Sequence, residues 1–165
     1  MKTSALVMLP VAFAALAGPA VADEMKAQIE AMKSSGKPEV FAVEGGMYTC
    51  SSCQPEVKVK ANGEPQKIQG NADYDEMRVK VLDPHSIGVT ALRNGADRIF
   101  WKYSVSPDGK TLTVTYSDYT MKKEQAGGYT ATRVAPGPAG SLPVSGSWKV
   151  EQITEGVQRT AERPH

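Results

Sequence analysis

Cysteine and histidine are scarce in this 165-residue chain: Cys50 and Cys53, His85 and His165 are all it has. A structural zinc normally takes four Cys or His ligands, commonly as two paired motifs, and the chain offers one Cys-x-x-Cys pair with no second. Nucleophile-and-base catalysis is equally short of parts. His85 falls in the turn-forming Asp83-Pro84-His85-Ser86 and His165 is the last residue, while G-x-S-x-G, H-E-x-x-H and glycine-rich phosphate loops are missing. Asp73, Asp75 and Glu76 in "NADYDEM" form the one acidic cluster. The sequence around them supplies none of the apolar burial that lifts a carboxylate pKa for acid-base work. The expectation is a protein that is not an enzyme, with no catalytic residue, no metal site and no cofactor.

A run long enough to cross a bilayer is also missing. The longest apolar stretch, Ala5 to Ala17, is broken by Pro10 and falls short of the ~20 residues a span requires. It follows Lys2 and leads into Ala20-Val21-Ala22 before Asp23, the layout of a cleaved secretory signal. Cleavage is expected after Ala22, giving a protein exported to the periplasm or secreted, without a membrane anchor. The 143 residues left make one domain. Removing Lys2 leaves 18 basic against 18 acidic residues, and a chain without basic excess is not built to coat phosphate backbones. Nucleic acid is therefore not an expected partner.

What the chain has in quantity is alternation. Asp23 to Ser35 spaces Met25, Ile29 and Met32 as one helical stripe stopped by Gly36, which predicts a short helix and linker over 23–38. From Glu39 the period becomes two. Val57, Val59 and Ala61 alternate with Lys58 and Lys60, and Met77, Val79 and Val81 with Arg78 and Lys80. Ile99, Trp101, Tyr103 and Val105 share one parity, as do Leu112, Val114 and Tyr116. Strands with one apolar face, separated by Asn62-Gly63, Asn94-Gly95 and Ser106-Pro107-Asp108-Gly109, predict an antiparallel meander of hairpins. Tyr129 to Val134 and Ser145 to Ile153 are later strands, joined by the stiff link "APGPAGSLP". The reading is mainly β: seven or eight strands over 39–153, curled into a barrel or half barrel, then a frayed tail over 154–165. Val79, Val81, Trp101, Tyr103, Leu112, Val114 and Trp148 are the residues expected to line a core or cavity.

Cys50 and Cys53 lie three apart in "YTCSSCQP". Extended chain would hold them ~10 Å apart, so a disulfide requires Ser51-Ser52 to turn tightly. Export favours oxidation. Two other readings stay open. A thioredoxin-like site needs a helix after the first cysteine, whereas "EVKVKA" reads as strand. A metal clip lacks further ligands, and covalent haem would need histidine where Gln54 stands.

The blocks "YTCSSCQPEVKVKANG", "YDEMRVKVLDPHSIGVTALRNG", "YSVSPDGKTLTVTYSDY" and "PAGSLPVSGSWKVEQI" together resemble exported bacterial proteins of lipocalin-like, or calycin-like, appearance with no established activity. The resemblance covers roughly Tyr48 to Ile153 and implies a β-barrel. Such relatives continue through a second set of similar strands, which makes this chain resemble a shortened member. Lipocalins open on Gly-x-Trp, whereas Gly146-Ser147-Trp148 stands near the end here. Three functional expectations follow. The leading one is a non-catalytic lipocalin-like protein holding a small hydrophobic ligand. The second is a structural or interaction module that associates with a partner or itself through an exposed strand edge. The third is a redox or metal-binding protein acting through Cys50 and Cys53.

Overall fold

The computed structural model describes residues 21–119 and 124–159. The proposed signal segment lies outside the described residues except for Val21 and Ala22, which open the helix. That helix, α1 (Val21–Ser35), buries Met25 and Ile29 and half-buries Met32, the stripe its sequence spacing predicts. It ends where Gly36 takes φ +67° and donates to Lys33 O, a left-handed stop that glycine adopts without steric cost.

Ten strands follow among the described residues: β1 (Glu39–Glu44), β2 (Met47–Cys50), β3 (Val57–Lys60), β4 (Gln66–Lys67), β5 (Glu76–Asp83), β6 (Ser86–Arg93), β7 (Ala96–Val105), β8 (Thr111–Asp118), β9 (Glu124–Pro136) and β10 (Gly146–Arg159). They form one antiparallel sheet in the order β3-β2-β1-β10-β9-β8-β7-β6-β5-β4. Strands adjacent in sequence pair throughout except β3 and β4, which form the two edges of the sheet, and β1 pairs on its other side with β10, through Glu39↔Trp148 and Phe41↔Gly146. The first strand thus meets the last, and the sheet curls until its two edges face each other.

Those edges are joined by side chains and one bridge rather than by a strand ladder. The Gln66 amide accepts from Lys60 N at 2.8 Å and donates to Lys60 O at 2.7 Å, taking the part of a paired residue between β3 and β4. Asn62 bridges to Lys80, and Gly63 N donates to Val79 O at 2.8 Å. The barrel is nearly closed, so the half-barrel alternative does not apply.

Alternation fills the interior. Phe41, Val79, Ile87, Ile99, Leu112, Val114, Trp148 and Val150 are each at most 2 % exposed, and burying such a side chain stabilises by roughly 1.5–3 kcal/mol. The intervening Lys58, Lys60, Lys80, Thr111, Thr113 and Thr115 face water. Between β6 and β7, Asn94 and Gly95 both take positive φ, +51° and +78°, the hairpin geometry whose twist matches that of the flanking strands.

Strand number and extent depart from the sequence reading. Ten strands stand where seven or eight were expected. The short β4 carries no apolar period, and β6 is buried from Ser86 to Leu92, so it reads as a continuous run rather than an alternation. The expected frayed tail also differs: β10 continues past Ile153 to Arg159, paired with Glu124 to Gly128 of β9. Register shifts at Val150/Gln152 and Thr154/Val157 interrupt the ladder, and such irregularities break the period of two by which a strand is read. Residues 160–165 lie outside the described residues.

The link between β9 and β10 is a plug. Val144 is fully buried and Leu142 packs against the core. Leu142 N donates to Val43 O, and Val43 N donates to Ser145 Oγ, both at 2.9 Å. Arg133 fastens this end of the barrel. Its guanidinium lies 4.1 Å from the centroid of Trp148 and donates to Gly109 O, Ser145 O and Pro143 O at 2.6–2.7 Å. The end opposite α1 is thereby sealed.

Candidate functional site

Under α1 the interior is not filled. A cavity of about 260 Å³ runs from the helix to the barrel wall. Its roof is the inner face of α1: Met25, Gln28, Ile29 and Met32. Gln54, beside the cysteine turn, and Asn71, Asp73 and Tyr74, between β4 and β5, form its sides. Glu39, Trp101, Tyr103 and Tyr129 form its floor.

Glu39 is the chemical centre. It opens β1, sharing a face with buried Phe41 and Val43, and strand parity turns its carboxylate inward. Both oxygens are engaged: Tyr103 Oη donates to Oε1 at 3.2 Å, and Tyr129 Oη donates to Oε2 through a short bond. The two phenols favour the charged form. Desolvation outweighs them, so burial holds the Glu39 pKa above the ordinary carboxylate range. The same burial, with the negative field of Glu39, pushes Tyr48, Tyr103 and Tyr129 upward as well. All three phenols stay protonated and available as donors.

The aromatic groups pack on one another. Phe41 stands edge-on to Tyr103 with centroids 5.1 Å apart and lies tilted against Tyr48 at 6.1 Å. Tyr74 meets Trp101 edge-on at 6.4 Å. Such contacts hold rings in set orientations, which gives the cavity rigid walls on that side.

Of the residues read from the sequence as core or cavity lining, Trp101 and Tyr103 border the cavity. Val79, Leu112, Val114 and Trp148 are packed in the filled part of the barrel. Val81 is 38 % exposed. It shares a face with Ile87, but β5 has a neighbour on its other side only at Glu76, Met77 and Lys80, so Val81 sits beside the open part of the seam. Cys50 and Cys53 are disulfide-bonded, with Cα atoms 5.4 Å apart across the Ser51-Ser52 turn. β3 rather than a helix follows them, and neither they nor a histidine are among the residues lining the cavity.

His85 is exposed in its turn, where its N–H donates to Asp83 Oδ1 at 2.7 Å. The acidic cluster is divided. Asp75 accepts from Asn94 N at 3.2 Å and braces the β6–β7 turn, Glu76 opens β5, and Asp73 stands exposed at the cavity rim. Among the described residues no group of three or more His, Cys, Asp and Glu side chains is placed to hold a metal ion, and no helix is long and apolar enough to cross a membrane.

Glu39 is the residue the sequence reading missed. The signal was there: in "EVFAVE" the acid has the parity of Phe41 and Val43, so a strand that buries those two turns the carboxylate inward. A second depression of about 200 Å³ lies against β1 and β2 and the start of the plug, bordered by Val40, Ala42, Thr49, Ser51 and Pro138. It has no ionisable side chain in its lining.

Fold and site together define a nearly closed ten-stranded antiparallel barrel with one sealed end and one helix-roofed cavity. No family model, no curated protein and no solved structure matches this chain.

Proposed function

We propose that this chain is an exported, non-catalytic binding protein that holds one small molecule between α1 and the barrel floor. The observation that carries the reading is the contrast within one barrel. The half toward Trp148 is packed to near-zero exposure, while the half toward α1 leaves about 260 Å³ open in front of a desolvated carboxylate. Leaving such a group beside empty space costs stability that further apolar side chains would have recovered. Conserving volume for a ligand is a reason to bear that cost. The volume lies just under the ~300–1,000 Å³ usual for ligand sites, which calls for a small occupant.

The lining refines the hydrophobic ligand expected from the sequence. Met25, Ile29, Met32 and Trp101 offer apolar contact, but Gln28, Gln54, Asn71 and Glu39 share the walls, so a suitable occupant is amphipathic. The roof is a single helix joined to β1 by three residues, and its lifting would open the cavity. Native mass spectrometry of protein recovered from the export compartment tests the reading. A ligand-sized increment is expected in the native mass, lost on denaturation and absent from Met32→Trp, whose larger side chain fills the space. A native mass equal to the chain mass, with no probe taken up afterwards, overturns it.

One observation favours the second reading, association through a strand edge. Val81 and Leu82 are exposed large apolar residues, next to the part of the seam where β5 lacks a second neighbour. Light scattering across a concentration series separates the two: a self-associating edge gives a dimer that a charge at Leu82 dissolves.

A further inference from the structure

The cavity lining is one-sided in charge. Two carboxylates, Glu39 on the floor and Asp73 at the rim, border it together with the rings of Tyr74, Trp101, Tyr103 and Tyr129. No lysine, arginine or histidine is among the lining residues, although the chain as a whole carries 19 Lys and Arg against 18 Asp and Glu. An anionic occupant would find no partner of opposite sign here. From this juxtaposition we infer that the cavity takes an organic cation, an alkyl- or arylammonium group seated between the Glu39 carboxylate and the rings of Trp101 and Tyr74. The inference rests on the cavity being a ligand site.

The chemistry of each wall agrees. An ammonium over an indole or phenol face is drawn by the ring quadrupole, most strongly by tryptophan and more so when desolvated. Tyr74 stands edge-on to Trp101 at 88°, so the two rings present a corner rather than a flat wall. Met25 and Met32 on α1 offer polarisable thioethers for the carbon part of the ligand. Glu39 supplies the counter-charge, and Tyr103 and Tyr129, donating to its two oxygens, hold the carboxylate in place.

Binding of a cation and loss of the Glu39 proton are then coupled. Burial holds the Glu39 pKa above the ordinary carboxylate range, and a cation bound beside it draws it back down. The groups facing Glu39 are Tyr48 from β2, Tyr103 from β7 and Tyr129 from β9, with Asp73 at the rim, and α1 contributes uncharged Gln28 and its apolar stripe. The phenols stay neutral, so Glu39 sets the pH dependence of cation affinity, which rises with pH through its own titration.

The test is calorimetric titration of the full exported protein, at constant ionic strength, with tetramethylammonium, choline and benzyltrimethylammonium. The uncharged isostere 3,3-dimethylbutan-1-ol and the anion 3,3-dimethylbutanoate serve as controls, and an apolar dye reports whether the cavity accepts anything. At least one ammonium probe is expected to bind about tenfold or more tighter than the alcohol, with the anion not binding. Glu39→Gln is expected to erase that preference, with circular dichroism and a cooperative thermal transition showing that the variant is folded. Trp101→Leu, a second variant, is expected to reduce it several-fold. Alcohol or dye binding with no ammonium preference overturns the cation assignment and leaves the binding barrel standing. Ammonium preference that survives in both variants overturns the assigned seat. No uptake of any probe or dye overturns both the inference and the reading beneath it.

Discussion

Replacing Arg133 with methionine tests how the sealed end of the barrel is held. The guanidinium makes three hydrogen bonds to carbonyls of the β7–β8 turn and the plug, at 2.6–2.7 Å, and stacks on Trp148 at 4.1 Å. Each bond to a charged group is worth ~1.5–3 kcal/mol when its partners are left unsatisfied. Arg133 is partly exposed, and water can reach the released carbonyls, so the three together are discounted to about 2–3 kcal/mol. The cation–π contact adds about 0.5–1 kcal/mol. Methionine keeps an apolar stem against the indole, so the substitution isolates the charged fork. The expected loss is about 2.5–4 kcal/mol, a fall in Tm of about 5–15 °C for a domain of this size.

Arg133→Lys should recover less than half of that loss, because an ammonium cannot reach three carbonyls and lie flat on a ring at once. Thermal and urea unfolding followed by circular dichroism measure the stability. In a Trp101→Phe background the emission of Trp148 reports on the plug, since its Nε1 donates to Val144 O at 3.0 Å. A red shift is expected as the plug loosens. A Tm within about 2 °C of the parent, or Arg133→Lys as stable as the parent, would refute the clasp and assign the end's stability to Val144 and Leu142 alone.

Two further outcomes follow from the site and the cysteine turn. The folded protein binds the Glu39 proton more tightly than the unfolded chain does, because its pKa lies above the ordinary value of 4.5. Stability is therefore expected to fall as pH rises from about 4.5 through the folded value, each tenfold gain in proton affinity on folding being worth about 1.4 kcal/mol. Asp83 and Asp108, held low by hydrogen bonds from Ser86 and Ser106, act in the opposite sense: what they contribute is lost as pH falls. Urea midpoints of the parent and Glu39→Gln across this window isolate the Glu39 part, and a pH-independent difference between them contradicts the desolvation argument. Replacing both Cys50 and Cys53 with serine opens a very short loop and should cost about 2 kcal/mol, read as a lowered urea midpoint with ligand uptake retained. Loss of uptake without loss of stability would instead make the pair part of the site.

Legibility from the sequence divides along physical lines. α1 and most strands could be read because burial on one face imposes a period, as Met25, Ile29 and Met32 do on the helix and Ile99, Trp101, Tyr103 and Val105 do on β7. The Cys50–Cys53 bridge could be read as one choice among three, since it depends on whether two serines turn. β6 and the outer half of β10 could not be counted in the same way: burial of successive residues in one and bulges in the other remove the alternation. The plug could not be read either, because the fixed backbone of "APGPAGSLP" says nothing of Val144 reaching the core.

The sequence by itself determined that this chain is mainly β, with a short helix in front and turns at its Asn-Gly and Asp-Gly pairs, because propensity and parity act over a few residues. Tertiary structure alone decided that β1 meets β10, that Gln66 and Asn62 span the seam, that Arg133 lies on Trp148 and that Glu39 faces Tyr103 and Tyr129. Glu39 and Tyr129 are 90 residues apart in the chain, and only closure of the sheet brings an acid from one strand and phenols from two others around the same unfilled space.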